Sequence, residues 1–360
     1  MSKVSPPSGE PQSSPALTLT ALSPPYAHGG PLAHGALRTE LEDFIVEEEL
    51  GFVPAGSGQH ALLKVCKRGA NTQWVARQLA GACGCRPLDV GYAGLKDRRA
   101  VAVQWFSVPQ TPRPLDSWKE VRGEGFEVLE AHAHSRKLPR GALAGNRFSV
   151  RIRGMQVDEA LLERRFADIR ARGVPNYFGP QRFGRNGSNL ERMTHDPRAL
   201  KPFERGFVLS AARSLIFNCL TAERVLDGSW GRLEVGDLAN LDDRGSVFPL
   251  DAVDPGSVER CERLEIHPTG PMWGRGLPGS HSRIYALETQ VAGRFPQACS
   301  LLEQAGMRQE RRALRLTVRN LAWQRDGAGL VIAFRLPRGS FATTVLREIV
   351  DSSPDHEAEG

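Results

Sequence analysis

At 360 residues the chain exceeds what one hydrophobic core usually serves, and two domains are expected. Its 40% hydrophobic content is ordinary for a soluble globular protein, it has no run of about eighteen apolar residues to cross a bilayer, and its formal charge of +6 suggests an anionic partner. Six cysteines without a regular framework and nine scattered histidines imply free thiols in a reducing cytosol and no metal site.

The first residues are rich in Pro, Ser and Gly, lack the apolar centre of a signal peptide, and are expected to be a disordered extension with no export. In "EDFIVEE", Phe44 and Val46 share one side and Ile45 and Glu47 the other, which predicts a half-buried strand. Asn71 then caps a helix "NTQWVARQLAGACG" that stops at Gly84, and "AVAVQWFSV" reads as the next strand. Residues 147–153, "RFSVRIR", alternate strictly, placing Phe148, Val150 and Ile152 opposite Arg147, Ser149, Arg151 and Arg153. Asp158 caps a helix with Leu162, Phe166 and Ile169 on one face and Gly173 as its stop. The texture then changes to "VPNYFGPQRFGRNGSN", a structured loop at a domain boundary, followed by a helix capped by Ser210 and stopped by Gly228. Strand alternation resumes at "LRLTVRN" and "LVIAFRLPRGSF", so the last strands could return to complete the first sheet around an inserted domain.

The stretch "GYAGLKDRRA" carries the sharpest chemical signal. Cations at 96, 98 and 99 favour the charged form of Asp97, and a glycine-rich turn lets a ligand approach, although an ordinary Lys-Asp hairpin turn has the same composition. A single carboxylate with no second acid, histidine or metal beside it suits covalent or proton-transfer chemistry better than hydrolysis. Asn146 and Phe148 point the same way from one strand, and with Phe44 and Phe341 they could form the stacking and hydrogen-bonding surface that a flipped-out base needs, or simply core. Arg136, Lys137, Arg140, Arg147, Arg151 and Arg153 suit a phosphate backbone or a solvated face, and Tyr177, Phe178 and Phe183 among Arg182 and Arg185 could hold RNA or pack on themselves.

Together "GYAGLKDRRAVAVQWFS", "HSRKLPRGALAGNRFSV", "GVPNYFGPQRFGRNGSN", "RSLIFNCLTAERV", "EIHPTGPMWG" and "FRLPRGSFATTVLRE" resemble the TruD family of tRNA pseudouridine synthases, in the family's order from about Leu37 to about Glu348. The resemblance implies an α+β fold: a pseudouridine synthase catalytic domain with a mixed, largely antiparallel sheet, interrupted by an inserted family-specific α/β domain. The expected divisions are a disordered Pro-rich extension at 1–34, a discontinuous catalytic domain at 35–172 plus 308–350, the insertion at 173–307 and an acidic tail at 351–360. It also implies isomerisation of uridine to pseudouridine at position 13 of tRNA, with no metal or organic cofactor. By the same resemblance Asp97 is the catalytic nucleophile or base, Phe44, Asn146, Phe148 and Phe341 bind the uridine, and Arg38 is a candidate ion-pair partner of Asp97. A cytoplasmic monomer that binds tRNA, with no membrane and no protein partner, is expected. The rival from another class is a non-catalytic protein that binds structured RNA, which would have no use for a carboxylate in an electropositive turn; a hydrolase using Asp97 would need a second acid or base.

Overall fold

The computed structural model describes residues 20–194, 198, 200–327 and 329–352. Two compact units divide the chain: one comprises His28–Val174 and the segment from Leu316 onward, the other Pro175–Arg315 and the residues up to Ala27. The expected extension falls largely on residues 1–19 and the acidic tail on 353–360, outside the described residues. From Thr20 the chain is placed: Ala21 is buried, and Ala33–His34 pairs in parallel with Val350–Asp351.

The first unit starts with strands β1 (Phe44–Leu50) and β2 (His60–Arg68), then helix α1 (Thr72–Cys83). As its sequence predicts, Asn71 accepts a hydrogen bond from Gln73 N–H at 2.8 Å, and Gly84 ends the helix at φ 72°, where a side chain would be strained. Strands β3 (Val101–Pro109), β4 (Phe126–His134) and β5 (Leu143–Arg153) follow, then α2 (Glu159–Arg172), capped by Asp158 and ended by Gly173.

In the second unit α3 (Pro202–Leu226) packs with a four-stranded antiparallel sheet of β6 (Leu238–Leu241), β7 (Val247–Pro249), β8 (Ile266–Met272) and β9 (Glu310–Ala313), ordered β7-β6-β8-β9. The helix starts eight residues before the expected cap. Pro202 opens its first turn, where a missing N–H costs nothing, and Ser210 lies inside with its hydroxyl accepting from Arg182 at 2.9 Å.

The chain then returns to the first unit with β10 (Arg319–Asp326), β11 (Gly329–Pro337) and helix α4 (Ala342–Leu346). The expected strand "LRLTVRN" is not one strand: Arg315 and Thr317 are as buried as Leu314, Leu316 and Val318, so the alternation does not separate two faces. The main sheet runs β10-β11-β5-β1-β3-β2-β4, with short strands bringing it to ten. Only the β1/β3 pair among these seven is parallel, so the sheet is mixed and largely antiparallel, in an α+β fold.

Helices α1 and α2 cover one sheet face. Leu162, Phe166 and Ile169 of α2 pack on Phe148, Val150, Ile332 and Phe334, while Val75, Ala76 and Leu79 of α1 pack on Leu63, Val65, Phe106 and Val108. The register puts four polar residues on that same face: Glu48 opposite Asn146, Gln104 opposite Val65, and Lys67 opposite Ala102. All four are buried, which demands partners or a function.

Candidate active site

Asp97 lies in the loop between Gly91–Tyr92 and β3, and side chains from the sheet and α1 hold that loop's main chain. Gln104 donates to Gly94 O at 2.7 Å and accepts from the Thr72 hydroxyl at 3.0 Å; the same hydroxyl accepts from Lys96 N–H at 3.1 Å. The ammonium of fully buried Lys67 donates to Asp97 O at 2.7 Å, Ala70 O at 3.0 Å and Lys96 O at 3.4 Å. Of the two glycines, Gly91 serves packing, since a Cβ there would stand 2.6 Å from Leu138 O, whereas Gly94 has open space around it.

The Asp97 carboxylate is met by Arg38, whose Nη1 donates to Oδ2, and by Arg99 N–H, which donates to Oδ1 at 3.2 Å. Two of the three neighbouring side chains expected to do this go elsewhere. Lys96 reaches Glu48 at 2.6 Å, and Arg98 Nε donates to Gly69 O at 3.0 Å. Arg38 has φ 59°, a left-handed conformation costing a non-glycine residue about 1–3 kcal/mol. The turn that follows is firmly built: Asp43 accepts from Glu40 N–H and from two nitrogens of Arg153, each at 2.8 Å. That bidentate arginine is the main reason the Asp43 carboxyl lies below its ordinary range.

Contacts and strand register link the remaining residues to this ion pair. The Arg38 guanidinium sits 4.1 Å from the centroid of Phe44, and Phe44 meets Phe148 edge-on at 6.0 Å, which stacks on Phe334 at 5.2 Å. Two residues from Phe148 on the same face stands Asn146, opposite Glu48, which returns through Lys96 to Asp97. Burial pushes the Glu48 carboxyl up, while Lys96 and the Trp105 N–H, donating at 2.9 Å, pull it back. Asn146 Oδ1 is buried without a hydrogen-bond partner, an omission that costs about 1–3 kcal/mol unless a ligand supplies a donor. Phe341 stands just before α4, five residues along the chain from Leu336, the β11 partner of Asn146.

Sequence reasoning missed Glu48, Lys67, Thr72 and Gln104. It also grouped too many cations together. Arg147 pairs with Glu49 at 2.5 Å, Arg153 with Asp43 and Arg151 with Asp326, so the basic strand face carries its own counter-charges. Among the described residues, Arg136, Lys137 and Arg140 have no carboxylate partner; Lys137 donates to Leu88 O at 2.5 Å and Arg140 lies 3.8 Å from the Tyr92 centroid. Tyr177, Phe178 and Phe183 are buried, which makes them packing residues of the second unit. All six cysteines are free, and among the described residues no cluster of His, Cys, Asp and Glu could hold a metal. No described helix is long and apolar enough to cross a membrane.

This arrangement fits an enzyme that holds a flat, hydrogen-bonding ring and works on it with one carboxylate. The family model for tRNA pseudouridine synthase D (TruD) matches residues 23–195 and 197–349. A tRNA pseudouridine synthase D from Methylococcus capsulatus is 45% identical over 335 residues, covering 92% of this chain and 95% of its own, and one from Nitrosococcus oceani is 44% identical over 333 residues, covering 90% and 93%. A solved structure of a putative tRNA pseudouridine synthase D from Methanosarcina mazei shares the fold, with TM-score 0.72, 21% identity and coverage of 93% of this chain and 98% of that one. The chain belongs to the TruD family of tRNA pseudouridine synthases, isomerases that convert uridine to pseudouridine in tRNA. That sets aside the non-catalytic RNA-binding reading.

Proposed function

We propose that the chain isomerises the uridine at position 13 of tRNA in the cytoplasm, as a monomer, with the catalytic site in the unit of His28–Val174 and Leu316 onward and a family-specific insertion in the other. The observation that carries this reading is the Arg38–Asp97 ion pair beside Phe44 and Phe148, with the unpartnered Asn146 Oδ1 on the same sheet face. The C1′–N1 bond breaks, C1′ joins C5, the hydrogen on C5 leaves to water as a proton, and N1, freed of the sugar, takes one up. Asp97 attacks C1′ or takes a proton from C2′, and Arg38 balances the carboxylate's charge. Phe44, Phe148 and Phe341 retain the detached uracil by stacking while Asn146 accepts from a ring N–H. Neither route calls on a metal or an organic cofactor. The uridine must leave its stack at a cost of a few kcal/mol, which phosphate contacts to Arg136, Lys137 and Arg140 offset.

Unmodified tRNA treated with the enzyme, then with a carbodiimide that marks pseudouridine, should give a primer-extension stop at position 13. A stop only elsewhere would contradict the assigned position, and no stop would contradict the activity.

A further inference from the structure

We propose that Lys67 is a positioning residue for catalysis: its ammonium holds the main chain of the Asp97 loop, and the enzyme works only while that ammonium keeps its third proton. The inference rests on Asp97 being the acting carboxylate.

The geometry accounts for every proton on the group. An ammonium has three N–H donors and no acceptor. Lys67 spends them on three carbonyls, two of which belong to Lys96 and Asp97 and the third to Ala70, at the approach to α1. The residue has no exposed surface, so no water replaces a lost partner. A neutral amine has two N–H groups and one lone pair. With three carbonyl oxygens around it, one of them would face that lone pair, and the repulsion would loosen the loop. The shortest bond, 2.7 Å, is the one to Asp97 O, within the residue whose carboxylate must stay aligned with Arg38.

The charges around Lys67 work against each other. Burial lowers its pKa to about 8; the Asp97 and Glu48 carboxylates and the Cys66 thiol beside it on β2 favour the proton, and the Lys96 ammonium opposes it. Deprotonation therefore falls within reach of ordinary assays, unlike that of a solvated lysine near about pH 10.4. The loop's other main-chain tethers among the described residues hold different atoms: Thr72 holds Lys96 N–H, and Gln104 holds Gly94 O.

The experiment is the single-turnover rate of tritium release from tRNA labelled at C5 of uridine, measured from about pH 6 to about pH 9 for wild type and Lys67→Met. Wild type should fall through an apparent pKa of about 8. Lys67→Met, which keeps the apolar stem and loses the charge, should be slower by on the order of a hundredfold, the scale of a small misplacement of a reacting group, with tRNA affinity unchanged. Its rate should lack that limb, keeping only the ionisation of the uracil ring common to both. A Lys67→Met rate within about twofold of wild type, or parallel pH profiles, would overturn the proposal. Should Lys67→Met fail to fold, wild type labelled at lysine Cε decides: the Lys67 carbon resonance should titrate at about 8 and lower still in Asp97→Asn. A Lys67 that keeps its proton to about pH 10 would overturn it. If wild type released no tritium at any pH, the reading of the activity itself would fail.

Discussion

At the scale of single residues, position 146 separates binding from packing most cleanly. A buried acceptor without a donor weakens the folded protein and strengthens only a complex. Asn146→Leu keeps the branched shape and removes the acceptor, so it should raise the melting temperature or leave it unchanged, while tritium release falls about tenfold or more. A loss of both stability and activity would mean that the amide serves the fold. Asn146 and Phe148 were legible because a strand's period of two sends both to one face. That same period places Glu48 on the face of Phe44 and Val46, but a glutamate in "EEE" reads as solvated, and only the cross-strand register shows it opposite Asn146. Lys67 likewise sits at an inward position of β2, where sequence cannot tell a fully buried ammonium from one that snorkels to water. Arg38 owes its place to a left-handed φ that no residue type announces.

At the scale of elements, helices with side-chain caps and glycine stops were readable to the residue, as α1 and α2 show. Where the cap was inferred from a serine alone, α3 proved to begin at Pro202. The turn before β1 makes a stability prediction. Asp43 is buried and held by Arg153, so its folded pKa is depressed; its contribution is present above the unfolded value of about 3.9 and is lost as pH falls through the folded value. Asp43→Asn should therefore destabilise the protein at neutral pH by about 2 kcal/mol, a figure discounted because Arg153 is partly exposed. The gap between variant and wild type should narrow as pH drops below about 4. Urea unfolding at both pH values measures it, and a gap that did not narrow would show that the ion pair is not its source. Activity should fall too, because the Asp43 turn lies between Arg38 and Phe44.

For the whole molecule, periodicity found some strands, such as β1, β3, β5 and β11, but missed β2 and β4 and gave no strand order. The return of β11 beside β5, with β10 beyond it and more than a hundred residues away in sequence, was one option that the strand alternation left open, and the family resemblance favoured it. Net charge likewise pointed to nucleic acid without saying where, because three of the six basic residues singled out between 136 and 153 are neutralised by Glu49, Asp326 and Asp43. Under the proposed function, one carboxylate, on a loop pinned from the sheet and α1, isomerises uridine in tRNA. The direct test incubates unmodified tRNA tritiated at C5 of uridine with wild type and with Asp97→Asn, since joining C1′ to C5 sends that hydrogen to water. Release by wild type and none by Asp97→Asn, with tRNA binding retained, is the predicted result. Equal release by both proteins would contradict the role of Asp97.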